Sequence, residues 1–111
     1  MTPPGATAHV VAFSTVGKPE DASRIARALV ERRLAACVNV VPGLTSVYRW
    51  KGQIESEAES LLVIKTRRER VDELKAALAA LHPYEVPELI VLPIEDGHAP
   101  YLAWLDECVT P

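Results

Sequence analysis

The sequence has 111 residues, 49% of them apolar, and a formal net charge of −3 from 15 acidic against 12 basic side chains. That length supports one modest hydrophobic core, and the apolar content excludes an intrinsically disordered chain. Acids and bases are interleaved without a basic stripe, which argues against nucleic acid as a partner, and no run approaches the ~20 apolar residues of a membrane span.

Residues 1–8, MTPPGATA, lack the charged and apolar regions of a secretory signal and read as a frayed leader to a single domain over 9–111. Residues 9–16, HVVAFSTV, are β-branched and aromatic enough for a first strand. Pro19, Glu20 and Asp21 then suit the start of a helix. Ala22, Ile25, Ala26, Leu29 and Val30 recur along one face of that helix, which ends near Arg33. Residues 37–50, CVNVVPGLTSVYRW, form a long second strand broken at Pro42-Gly43, the mark of an edge position or a bulge. Lys51-Gly52 reverses the chain, and QIESEAESLLVIKT returns as a third strand. A three-residue loop would pair Trp50 with Ile54 and Arg49 with Glu55.

Thr66 and Glu69 have the spacing of a capping box, predicting a second helix with Val71, Leu74, Leu78 and Leu81 on one face. Pro83 disfavours helical backbone at His82, so the helix stops there, with the imidazole set against its carbonyl end. Residues 88–94, ELIVLPI, read as a fourth strand, Gly97 to Pro100 as a turn, and Tyr101, Trp104, Leu105 and Cys108 as one side of a short last helix. The order β-α-β-β-α-β with an extra helix predicts an α/β, ferredoxin-like sandwich carrying a long β2-β3 hairpin.

Two helices cover one face of a four-stranded sheet. The segments VVAF, LLVI and LIVL are apolar on both faces, whereas a half-solvated sheet should alternate. Leaving a few hundred Å² of that second face wet would forfeit several kcal/mol at about 25 cal/mol per Å². Self-association follows, with Tyr48, Trp50, Ile54 and Trp104 as candidate subunit contacts.

Candidate chemistry is sparse. His9, His82, His98, Cys37 and Cys108 share no metal-finger spacing, and the two cysteines read as buried free thiols of a reducing cytoplasm. Glu55, Glu57 and Glu59 place three carboxylates on one strand face, either a solvated edge or a weak divalent-cation surface. Arg49, Lys51, Lys65 and Arg67 lie near strand ends and are the candidates for a small-anion cleft between subunits. No glycine-rich phosphate loop or nucleophile elbow is present, so the expectation is a non-enzyme that requires no cofactor; Ser14, Tyr84 and Glu88 are the weak catalytic alternative.

The block LAACVNVVPGLTSVYRWKGQIESEAESLLVIKT, residues 34–66, together with HPYEVPELIVLPI and the later YLAWL, resembles the CutA family of divalent-cation tolerance proteins over residues 9–106. The resemblance implies a stable cytoplasmic homotrimer, related in architecture to PII-type signalling proteins and linked to tolerance of copper and other divalent cations. It marks His82 as the retained histidine before Pro-Tyr and the candidate metal contact. Some relatives carry a second histidine where this chain has Leu81 and a cysteine where it has Ser14. A PII-like small-ligand sensor or scaffold acting through a protein partner is the alternative that the resemblance leaves open.

Overall fold

A computed structural model describes residues 8–111. The expected leader, apart from Ala8, lies outside the described residues. The elements are β1 (His9–Val16), α1 (Pro19–Glu31), β2 (Cys37–Trp50), β3 (Gln53–Arg67), a 3-10 turn (Arg68–Arg70), α2 (Val71–Leu81), β4 (Ile90–Pro93) and α3 (Ala99–Val109). The sheet has the order β2-β3-β1-β4 and every neighbouring pair is antiparallel, which is the ferredoxin-like arrangement predicted.

α1 starts at Pro19 with two acids in its first turn. It ends in a Schellman closure: Leu34 N–H reaches Leu29 O at 2.9 Å and Arg33 N–H reaches Val30 O at 3.0 Å. This puts Arg33 at φ 59°, a position that normally selects glycine. The side chain has its own contact, a 3.3 Å hydrogen bond to the Cys108 carbonyl that ties the turn to α3. Ala12 and Val16 of β1, Leu62 and Ile64 of β3, and Ile25, Leu29, Leu74 and Leu78 of the two helices form the main core.

Two expectations about turns are corrected. The hairpin loop has two residues, not three, so Trp50 pairs with Gln53 and Arg49 with Ile54. Lys51 and Gly52 both have positive φ, 49° and 80°, the backbone of a type I′ turn whose twist matches that of the strands. The capping box does not form. Thr66 is still in β3, paired with Val10, and α2 starts only after the 3-10 turn, with no side-chain cap. Glu69 instead pairs with Arg67, whose hydrogen bond holds the Glu69 carboxyl below its ordinary range.

The break at Pro42-Gly43 is a bulge: two residues oppose Ser60 between the pairs Val41–Leu61 and Leu44–Glu59. It is tolerated because β2 is an edge strand. β4 is shorter than 88–94, since only Ile90–Pro93 pairs with β1. α3 starts at Ala99, inside the expected turn. Leu105 and Val109 are its buried residues, while Tyr101 and Trp104 meet at a 40° tilt, with ring centroids 5.5 Å apart, and remain partly exposed.

Register divides the sheet cleanly. Val10, Ala12, Ser14 and Val16 face the helices; Val11, Phe13 and Thr15 face away, beside Leu61, Val63, Ile90 and Leu92 of neighbouring strands. α3 covers one end of this second face, where Asp106 is bonded by His9 (2.9 Å) and by Arg67. The Arg67 hydrogen bond keeps Asp106 below the ordinary carboxylate range. The rest is uncovered, and Ile90 and Leu92 are 50% and 46% exposed.

Ser14 and Thr66 place hydroxyl oxygens in the helix-covered core without hydrogen-bond partners among the described residues. A buried unsatisfied hydroxyl costs roughly 1–3 kcal/mol. Ser14→Ala is therefore expected to stabilise the protein by about 1 kcal/mol, read as a higher denaturant midpoint with unchanged slope at fixed protein concentration.

Candidate functional site

Pro83 ends α2, and His82 leaves the helix in extended backbone as its C-cap. The imidazole turns away from the carbonyl end. That end is met instead by Arg24 of α1, whose guanidinium donates to Leu81 O at 3.0 Å. The His82 ring is 6% exposed. Its Nε2 lies 2.8 Å from Thr15 O and its Nδ1 lies 3.1 Å from Tyr84 N. A carbonyl only accepts and a backbone N–H only donates, so Nε2 carries the proton and Nδ1 is the acceptor. Both nitrogens are engaged, and a metal at either would have to break one of these bonds. In this geometry His82 clamps the segment after α2 to the end of β1.

The clamp positions Tyr84. Its hydroxyl donates to Glu59 Oε2 at 2.6 Å. Desolvation, and then the bond to Glu59, push the Tyr84 hydroxyl well above its ordinary range, so it stays a donor at neutral pH. A Cβ on Gly17 would sit 3.0 Å from that hydroxyl oxygen, which makes glycine the residue that admits the ring.

Glu59 is the third acid of the QIESEAES stretch and is only 6% exposed, so the solvated-face reading fails for it. Glu57 is exposed and Glu55 intermediate. Glu59 and Tyr84 form the floor of an open cleft of about 690 Å³. Ser46, Val47, Tyr48 and Trp50 of the hairpin form one wall, and Glu85, Val86 and Glu88 another. Desolvation raises the range of the Tyr48 hydroxyl, with Glu57, Glu59 and Glu55 adding to the effect. At the rim, Lys51 Nζ lies 5.5 Å from the Trp50 ring centroid and 3.9 Å from Glu85.

The structure gathers only part of the sequence candidates. Tyr48 and Trp50 meet in the cleft, while Ile54 is exposed opposite Arg49 on β3 and Trp104 lies on α3. Tyr84 and Glu88 line the cleft, but Ser14 faces the helix core and Thr15 takes its place on the lining. Arg49 and Lys51 sit at the hairpin tip, whereas Lys65 and Arg67 lie at the far end of β3. Twelve residues of β3 separate the Lys51-Gly52 turn from Lys65, roughly 40 Å at about 3.3 Å each, so within one chain the two pairs of cations lie at opposite ends of the hairpin. Among the described residues no three His, Cys, Asp or Glu side chains converge as a metal centre. Cys37 and Cys108 are free thiols, as expected, but only partly buried.

The Glu59–Tyr84 pair was the element that sequence reasoning missed. Its signal is that Glu59 is the last acid before the unbroken apolar run LLVI, where alternation stops and the strand enters the core.

Comparison with known proteins finds a match to the family model "CutA1 divalent ion tolerance protein" over residues 10–108. The chain is 54% identical over 97 residues to the divalent-cation tolerance protein CutA of Thermus thermophilus, covering 87% of this chain and 94% of that one. It is 51% identical over 94 residues to human protein CutA, covering 85% of this chain; it spans about half of that longer protein, 52%. Among solved structures, the Thermus thermophilus protein superposes with a TM-score of 0.89 at 51% identity, over 92% of this chain and 99% of that one. CutA from Xylella fastidiosa superposes at 0.91 with 40% identity, over 94% and 100%.

Proposed function

The chain belongs to the CutA1 divalent ion tolerance family, and from that premise we propose that it acts in the cytoplasm as a homotrimer in the cellular response to divalent metals, copper among them. It is not an enzyme on this reading. Tyr48, Trp50, Ile54 and Trp104, all exposed in the single chain, are its proposed subunit contacts. The observation that carries the reading is the second sheet face, where Ile90, Leu92 and Val41 lie open beside half-buried Phe13 and Val63. Burying about 300 Å² of such surface contributes roughly 7 kcal/mol per chain at about 25 cal/mol per Å², enough to offset a good part of the cost of association.

Metal contact, in this proposal, is weak and falls where subunits meet, because one chain does not assemble the donors. Calorimetric titration with copper(II) and zinc is expected to show weak binding by the assembled protein and none by a variant held as a monomer. No heat at millimolar metal, together with no effect of the chain on growth of a host at raised copper, would remove the divalent-ion reading.

A further inference from the structure

The cleft above Glu59 is built for a different class of ligand from a bare metal ion. Its volume of about 690 Å³ is that of a small-molecule pocket. Hard dications want several converging oxygens, and among the described residues the acids on this lining do not converge as a group of three. Tyr48, Trp50 and Tyr84 offer instead the faces and edges on which an organic cation is held.

Charge selects in the same direction. The ionisable groups on the lining, besides the two tyrosines, are Glu59, Glu85 and Glu88. Glu57 and Glu55 stand close enough to raise the Tyr48 hydroxyl. An anion would meet three carboxylates on the lining, and the one ammonium described at the rim, Lys51, is already beside Glu85. Glu59 is 94% buried by its 6% exposure, yet among the described residues it accepts one hydrogen bond, at Oε2 from Tyr84. Burying a carboxylate is costly unless it is paired, and among the described residues Tyr84 is the one side chain hydrogen-bonded to Glu59, which also lines the cleft. The chain also shows how an ammonium sits at this rim: Lys51 lies over the Trp50 ring and beside Glu85.

We propose that the cleft is a binding site for an organic ammonium, a primary or quaternary amine carried on an apolar or aromatic body, with its charge toward Glu59 and its body between Trp50, Tyr48 and Tyr84. The inference is independent of metal binding, and it rests on the faces of Tyr48 and Trp50 that line the cleft staying open when their other edges meet a neighbouring subunit.

The test uses the whole protein in its native assembly and three probes of similar size: benzyltrimethylammonium, benzyl alcohol and phenylacetate. Calorimetry is expected to show benzyltrimethylammonium binding at least tenfold more tightly than either of the others, and zinc failing to displace it. Glu59→Gln keeps an acceptor for Tyr84 and is expected to weaken that binding at least tenfold while leaving benzyl alcohol unchanged. Trp50→Leu should weaken it as well. Should Glu59→Gln fail to fold, the order of the three probes on the wild type decides. Equal affinities, a preference for phenylacetate, no binding of the ammonium probe, or a folded Glu59→Gln that binds like wild type would each overturn the proposal.

Discussion

A chain carrying Ile90→Asp and Leu92→Asp is expected to sediment as a folded 12.1 kDa monomer, while the wild type at the same micromolar concentration sediments as a trimer. Both side chains project from the second sheet face, opposite Phe13 and Val11 in the ladder, and neither touches the helix-side core. Secondary structure should therefore persist in the variant, with increased binding of a hydrophobic dye. A carboxylate trapped against an apolar neighbour without a partner costs several kcal/mol. Two of them at each contact move the association constant by more than about a thousandfold, since each 1.4 kcal/mol is tenfold. A wild type that is itself a soluble monomer, or a double variant that stays trimeric, would refute the assembly.

His82→Ala should destabilise the protein by about 2–4 kcal/mol, from two part-buried hydrogen bonds to backbone groups and a lost buried ring. Thr15 O would lose its donor and Tyr84 N–H its acceptor. Tyr84 would then loosen over Glu59, so the ammonium affinity of the cleft should fall with the stability. Thermal and denaturant unfolding at fixed protein concentration, run beside the copper titration, separate the two roles of this residue. Lower stability with unchanged metal heats is the expected pattern. Unchanged stability with abolished copper binding would make His82 a ligand and show that the clamp is incidental.

The hairpin turn and the start of α2 show why local signals fell short. Lys51-Gly52 was legible as a reversal, but a lysine at positive φ is not a usual type I′ residue, so the loop length and the register were not. Thr66 and Glu69 have the right spacing for a capping box. The box lost because β3 keeps Thr66 in its ladder with Val10 and Arg67 takes Glu69. Patterning gave residues 83–87 no element of their own, yet Glu85 and Val86 form part of a wall of the cleft. Such a segment is placed by groups distant in sequence, here Thr15 and Glu59.

Patterning alone determined the order of elements, the ferredoxin-like sandwich, the stop at His82 and the surplus of apolar strand surface, because hydrophobic period and proline act over a few neighbouring residues. The family, too, was legible in three sequence blocks. Only the tertiary structure decided that His82 has both nitrogens occupied, that one acid of three is buried, and that Ser14 and Thr15 part to opposite faces. Those outcomes depend on which strands lie side by side and in what register, and a one-residue slip would have reversed each of them.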